Sequence, residues 1–404
     1  MAHTLQANGS PRGGRKGRIL CFTSYYLPGF KSGGPLRSLL HLQEWLGGEY
    51  EFAVLTRNRD LGDAETYAGL SAGTWYPVGG VRVCYLSAPQ WRPDPIRTAV
   101  REFDPDLLYF NSSVDFSLTA VPLLLRHFGW LPGRILARIP VLVAPRGEFS
   151  PGARSIKPLR KKAYFLLGRL LGLYRDITWQ ATKDEEAAQI RGLWGSDARV
   201  VVAPNLPSRV SVDELPVRKA KQPGALRLVF LSRISRMKNL HGALGMLGGI
   251  TVPVTLDVYG TREDPQYWDE CRQLMERLPR NVEATYRGAV APEAVISTLS
   301  KYDAFFLPTL GENFGHVIHE ALLAGCPVLL SDQTPWQQLS QRRVGFDISL
   351  DRPELFQQAI GQLAAMDGRE HQRWSAAARD FGVQYSADTG LVQSTRSMLG
   401  GAMS

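Results

Sequence analysis

The chain has 404 residues, long for one domain and comfortable for two, and its 44% hydrophobic and 21% charged residues are ordinary for a globular protein with sizeable cores. No apolar run reaches the ~18 residues of a transmembrane helix, which excludes a helical span. The formal charge of +9 calls for an anionic partner, among which a nucleotide, a nucleic acid and an anionic membrane surface are the candidates.

Residues 1–17 are polar, Gly-rich and basic, with no apolar signal core, so they read as a disordered tail of a cytoplasmic protein. Beyond them, short β-rich runs alternate with helical patterns. The first half carries strands at Arg18–Thr23, Glu51–Leu55, Val81–Leu86, Asp106–Phe110, Val141–Ala144, Ile177–Gln180 and Val200–Ala203. The second half carries them at Arg227–Leu231, Thr255–Tyr259, Val282–Tyr286, Asp303–Leu307, Val328–Ser331 and Gly345–Ile348. Helices are expected over Leu36–Leu46, Gly315–Leu323 and Pro353–Met366, and largely over Glu370–Leu399. Strands apolar on both faces alternating with helices predict an α/β protein with doubly wound parallel sheets. Pro207–Pro223 has three prolines and no long apolar run and reads as the linker. The expected division is a tail 1–17, a first Rossmann-like domain 18–206, a linker 207–224, a second Rossmann-like domain 225–369, and a helical segment 370–404 returning to the first domain. Two such domains would face each other across a cleft beyond the carboxyl ends of their strands.

Four widely spaced cysteines, Cys21, Cys84, Cys271 and Cys326, form no CxxC pair and no metal-ligand spacing, so buried free thiols in a reducing compartment are expected. Between Ser150 and Arg175 stand seven cations (Arg154, Lys157, Arg160, Lys161, Lys162, Arg169, Arg175) and no acid, interleaved with leucines and aromatics. Such a helix either lies on anionic lipid or packs on the core with a solvated basic edge.

The loops after the strands carry the chemistry. After the first strand, Gly33-Gly34-Pro35 allows close backbone approach and opens a helix whose N–H groups can meet a phosphate, although a double glycine often marks only a turn. After the first strand of the second half, Arg233 and Lys238 stand five residues apart in Ser232–Asn239 and can neutralise a diphosphate from two sides; taken alone they also fit a solvated basic loop. Gly260 and the string Tyr286–Val290 follow the next two strands. The most specific block is Pro308–Asp332, where Glu312 and Glu320 lie eight positions apart around Asn313-Phe314-Gly315 and a helix start. His316-x-x-His319-Glu320 is neither H-E-x-x-H nor H-x-x-E-H, so zinc is not expected. In the first half, Asn111-Ser112-Ser113 and Arg146-Gly147-Glu148 follow strands and serve as ligand loops or as simple turns.

These strings resemble the retaining GT-B glycosyltransferases of family four, with the E-x7-E signature at Glu312 and Glu320 and a GRL-x3-KG-like motif at Ser232–Asn239. The resemblance implies that Glu312 contacts the donor sugar, Glu320 the ribose, and Arg233 and Lys238 the diphosphate. Gly33, Gly34, Gly260, Val290, Asn313, Phe314 and Gly315 would complete the donor site, and Arg37, Asn111, Arg146 and Glu148 would serve the acceptor side. Asn313 replaces the usual Gly, and Arg146 replaces a usual His, which removes that acid–base candidate. The implied reaction moves a sugar from a UDP- or GDP-sugar to a glycan or lipid-linked acceptor, with no bound cofactor and no metal. Its setting would be bacterial surface-polysaccharide or glycoconjugate synthesis, in the cytoplasm or on the inner face of the plasma membrane through residues 150–175. Rival readings are a nucleotide-sugar epimerase or hydrolase on the same fold and a non-catalytic GT-B binding subunit; no motif supports nucleic-acid binding.

Overall fold

The computed structural model describes residues 15–87, 93–127, 139–150, 158–209, 211–216 and 221–404. The first 14 residues of the expected tail lie outside these, as do Arg154 and Lys157 of the basic stretch. The described residues form two compact units, one running up to Leu206 together with Thr389–Ser404, the other Pro207–Asp388.

Unit 1 contains β1 (Gly17–Phe22), β2 (Tyr50–Arg57), β3 (Trp75–Val78), β4 (Val81–Leu86), β5 (Leu107–Phe110), β6 (Val141–Val143), β7 (Thr178–Ala181) and β8 (Arg199–Val202). They form one sheet in the order 3-4-2-1-5-6-7-8, parallel except for β3, which runs antiparallel to β4. The sequence reading missed β3. Pro77 argues against a strand, but β3 is the sheet edge, where a missing N–H is tolerated, and Gly79 and Gly80, both at positive φ, turn the hairpin. Helices α1 (Gly34–Leu46), α2 (Pro93–Phe103), α3 (Val121–His127), α4 (Pro158–Leu170) and α5 (Asp184–Trp194) connect the strands. Alternate residues of β1 enter separate cores: Leu20 and Phe22 join one with Phe110 and Trp179, Ile19 and Cys21 the other with Leu39 and Leu142. Each such apolar side chain, once buried, contributes about 1.5–3 kcal/mol, so a strand buried on both faces is strongly held.

Unit 2 contains β9 (Leu226–Leu231), β10 (Val254–Tyr259), β11 (Val282–Gly288), β12 (Ala304–Leu307), β13 (Val328–Ser331) and β14 (Gly345–Ile348), all parallel in the order 11-10-9-12-13-14. Its helices are α6 (Leu240–Leu247), α7 (Pro265–Met275), α8 (Val295–Leu299), α9 (His316–Leu323), α10 (Pro353–Ala365) and α11 (Gly368–Ser386). Lys221, near the end of the expected linker, is buried and donates to the carbonyls of Ala364 (2.8 Å) and Met366 (3.1 Å) at the end of α10. An ammonium there satisfies carbonyls that the helix leaves unpaired. The expected helical segment Glu370–Leu399 breaks at Ala387–Asp388; α11 stays in unit 2, and α12 (Thr389–Met403) packs Val392, Met398 and Leu399 into the core of unit 1 that holds Ile19 and Cys21. All four cysteines are free and buried; burial pushes the Cys271 thiol up to about 11 and that of Cys84 to about 12.

Among the parallel strands of each sheet the order reverses between β1 and β5 and between β9 and β12. Ligand loops in open α/β sheets gather at such reversals. The close approach of α9 and α11 fixes one of them. A Cβ on Gly382 of α11 would lie 2.9 Å from the Leu323 backbone N, so only glycine lets the helices come this near. Gly382→Val should therefore cost about 1–3 kcal/mol by overpacking, read as a lowered urea midpoint; an unchanged midpoint would show that the helix pair has slack.

Candidate active site

In unit 2 the loop after β9 is stitched to the loop after β12. Asn239 adopts the left-handed region (φ 58), its Oδ1 accepts the Gly242 N–H at the start of α6, and its Nδ2 donates to the Pro308 carbonyl (2.8 Å). A short polar side chain is among the few that tolerate this backbone, which explains an Asn where the related motif has Gly. Leu310 N and Thr309 Oγ1 both donate to the Met237 carbonyl (2.9 and 3.0 Å). The stitching brings the Lys238 ammonium onto the Glu312 carboxylate, with both side chains largely buried, at 13% and 12% exposure. Arg233 instead pairs with Glu263 at 2.9 Å, in a more exposed setting.

Gly260 has its glycine for a packing reason: at φ 145, a Cβ would sit 1.8 Å from the Ser232 carbonyl oxygen. Its N–H donates to Gly288 and its carbonyl accepts from the Tyr286 hydroxyl, so the turns after β9, β10 and β11 are one bonded layer. Val290 lies partly buried beside this layer. Asn313 is partly buried, and Gly315 (φ 77) opens α9, accepting from Ile318 N at 2.8 Å. Glu320 is buried on α9 at 6% exposure. Phe314 turns its ring into an aromatic cluster with Trp336, Tyr385, His316 and His319, at centroid distances of 4.7–6.2 Å.

Two residues that sequence reasoning passed over hold this loop. The buried Trp336 donates its indole N–H to the Phe314 carbonyl (2.6 Å). His319 stacks on Trp336, bonds through Nε2 to the Gly382 carbonyl (3.0 Å), and is driven by burial to a pKa of about 4. It is a neutral core histidine. Among the described residues no group of three or more His, Cys, Asp or Glu is placed to hold a metal ion. Trp336 follows Pro335 just past a strand end, the one local cue to its position.

In unit 1, Gly33 caps α1 at φ 67 and ψ −124, a conformation suited to glycine, while a Cβ on Gly34 would meet nothing within 4 Å. The partly buried Arg37 donates its backbone N–H to the Gly33 carbonyl (3.1 Å). Asp60, another buried residue missed in the sequence, accepts Phe30 N (2.8 Å) and Lys31 N (3.1 Å) and so clamps the glycine loop; the NRD run after a strand was its only signal. Asn111 ties the loops across the β1–β5 reversal, donating to the Pro35 carbonyl at 2.9 Å. Arg146, at φ 53, commits its guanidinium to the fold: Nε donates to Asn111 Oδ1 (2.8 Å), Nη2 to the Tyr109 hydroxyl (2.5 Å), and Nη1 to Asn205 Oδ1. Burial pushes the Tyr109 phenol to about 12 against the pull of Arg146, so it stays neutral at ordinary pH. Glu148 accepts from Ser112 Oγ, Ser113 N and Ser113 Oγ at 2.5–2.7 Å. Arg146 and Glu148 are thus both engaged in structural bonds.

The chain is an α/β protein of GT-B type, and this fold is shared with solved structures across nearly its whole length. Sucrose-phosphate synthase from Thermosynechococcus elongatus superposes with a TM-score of 0.72 at 16% identity, covering 95% of this chain and 98% of that one. The Anabaena protein Alr3699/HepE, solved in complex with UDP and glucose, gives 0.67 at 15% identity, covering 95% and 99%. WaaG, a glycosyltransferase involved in lipopolysaccharide biosynthesis, gives 0.59 at 13% identity, covering 90% and 95%. Among curated proteins, none matches the sequence. Residues 211–381 match the family described as glycosyl transferases group 1. This match, together with the shared fold, supports a glycosyltransferase dependent on a nucleotide sugar.

Two outcomes test the loop architecture. Trp336→Phe keeps the ring but leaves the buried Phe314 carbonyl without its donor, so it should cost about 1–3 kcal/mol in urea unfolding and raise the KM for the donor sugar; wild-type stability with wild-type KM would dismiss the role. His319 has a folded pKa below its unfolded value of 6.5, so the stability it contributes is complete above about 6.5 and is lost as pH falls towards 4. Between pH 7 and 4.5 the wild type should lose about 2–3 kcal/mol through this group alone, and His319→Gln should show a correspondingly flatter pH dependence of its urea midpoint.

Proposed function

We propose that the chain is a retaining glycosyltransferase that moves a sugar from a UDP- or GDP-sugar to a glycan or lipid-linked acceptor in bacterial surface-polysaccharide or glycoconjugate synthesis. The observation that carries this reading is the meeting of Lys238 and Glu312 at the strand-order reversal between β9 and β12, beside the opening of α9 at Gly315. A carboxylate, a cation and the N-terminal end of a helix in one place suit a sugar diphosphate. In this reading the diphosphate takes over Lys238 and Arg233, releasing Glu312 from its ion pair to bind sugar hydroxyls and Glu263 to solvent. Glu320 binds the ribose, and the backbone at Gly260 and Val290 borders the base. Asn313, Phe314 and Gly315 offer backbone N–H groups to the sugar, and Gly33 and Gly34 open a helix start in unit 1 that suits a phosphate.

Negative charge developing on the leaving phosphate is met by Arg233, Lys238 and helix N-termini, so no metal is needed for that task. The acceptor attacks from the face the phosphate leaves, through an oxocarbenium-like state, and the phosphate takes the acceptor proton. The anomeric configuration is retained. UDP in the HepE complex and the lipopolysaccharide role of WaaG support the donor class and the setting. We place the enzyme in the cytoplasm, peripheral on the inner face of the plasma membrane. Arg37, Asn111, Arg146 and Glu148 border the acceptor side, where their in-fold bonds give them a shaping role.

Thermal stability measured with UDP, GDP and ADP should rise with one of the first two. Glu312→Gln should lower kcat by about 100-fold or more, and Lys238→Ala should weaken nucleotide binding by about tenfold or more, as expected for lost charge stabilisation. Wild-type turnover in either variant would sink the site assignment. Inversion at the anomeric carbon by NMR would sink retention, and epimer or free sugar from donor alone, with no transfer, would favour the epimerase or hydrolase alternative.

A further inference from the structure

Helix α4 is anchored firmly on one side and bare on the other. Tyr164 and Phe165 pack on the core of unit 1, Gly168 is buried against Tyr174, and the Tyr164 hydroxyl donates to the Ser113 carbonyl at 2.9 Å. Yet Leu166, Leu167 and Leu170 are 61%, 57% and 75% exposed, three of the most exposed large apolar side chains among the described residues. At about 100° per residue, Ala163, Leu166 and Leu170 fall within roughly 60° of arc, Leu167 lies at one margin, and Lys162 and Arg169 lie at the other. Lys162, Ala163 and Arg169 are exposed as well. A leucine stripe of this kind on a well-packed helix is costly in water and marks a contact surface.

Charge complementarity selects the occupant. The stretch from Ser150 to Arg175 holds seven cations and no acid, and it includes this helix. An anionic bilayer offers hydrocarbon and negative headgroups in one plane parallel to the helix axis, matching a leucine stripe edged by cations with no acid among them. We propose that α4 is a bilayer-docking helix that seats Leu166, Leu167 and Leu170 in the acyl boundary of an anionic membrane, with Lys162 and Arg169 at the headgroups. This names the docking surface for the peripheral location proposed above and rests on that location, but not on the donor-site assignment.

The test is flotation of the intact protein with phosphatidylcholine vesicles, with and without phosphatidylglycerol, in the absence of sugar nucleotide. The wild type should float only with phosphatidylglycerol present and should be released as salt rises. The triple variant Leu166→Gln, Leu167→Gln, Leu170→Gln should partition roughly tenfold less well, since the apolar contribution to such binding scales with buried area. Lys162→Gln with Arg169→Gln should weaken binding and reduce its salt dependence. All five positions are exposed, so near-UV circular dichroism and transfer to a soluble acceptor should match the wild type. Failure of the wild type to float, equal flotation of the leucine variant, or conversion of a wild-type dimer to a monomer by that variant would overturn the proposal, the last by making the face an interface between copies. Intact docking with no sugar transfer would instead count against the functional reading alone.

Discussion

The burial of β9 and β12 on both faces is the constraint from which the rest of unit 2 follows. These two strands lie side by side at the centre of the sheet, and the β12 side chains from Ala304 to Leu307 are wholly buried. Polar groups are thereby forced to the strand ends. At the entry end, Asp303 closes the edge by accepting from Arg227 N and its guanidinium at 2.8–3.2 Å. At the exit end the same adjacency lets Asn239, Thr309 and Leu310 bind loop to loop. Lys238 meets Glu312 because the strands beneath them have no freedom to part.

The two units use their cations differently. Lys238 and Arg233 each face one carboxylate, a pairing that an incoming phosphate can exchange at modest cost because one anion replaces another. Arg146 is held by three neutral partners on different segments, and removing it would leave Asn111, Asn205 and Tyr109 with buried groups to satisfy. Its left-handed backbone points the same way: position 146 is built around the network joining β5, β6 and the exit from β8. A histidine has too few donors to span those three partners.

Features set by nearby residues were legible in the sequence. The thirteen expected strands all appear, with ends shifted by a residue or two, because apolar β-branched runs specify buried strands locally. The E-x7-E block and its helix start could be read for the same reason. What escaped depends on partners far along the chain. Asp60 serves a loop 30 positions earlier, and Trp336 reaches back 22 positions to a carbonyl. The edge strand β3 was hidden by Pro77, whose penalty vanishes only where no neighbour needs its N–H. The leucines of α4 posed the opposite difficulty: a leucine-rich helix reads equally as core, and only the fold shows which leucines stay exposed.

The return of α12 to unit 1 gives the two units different histories during synthesis. Val392, Met398 and Leu399 close a core laid down by Ile19 and Cys21, so that core waits for residues made after all of unit 2. Unit 2 is continuous and can complete its own core as soon as α11 has emerged. As a nascent chain leaves the ribosome, the first-made unit is therefore the last to be finished, and until then it presents an open apolar face of the kind that chaperones bind.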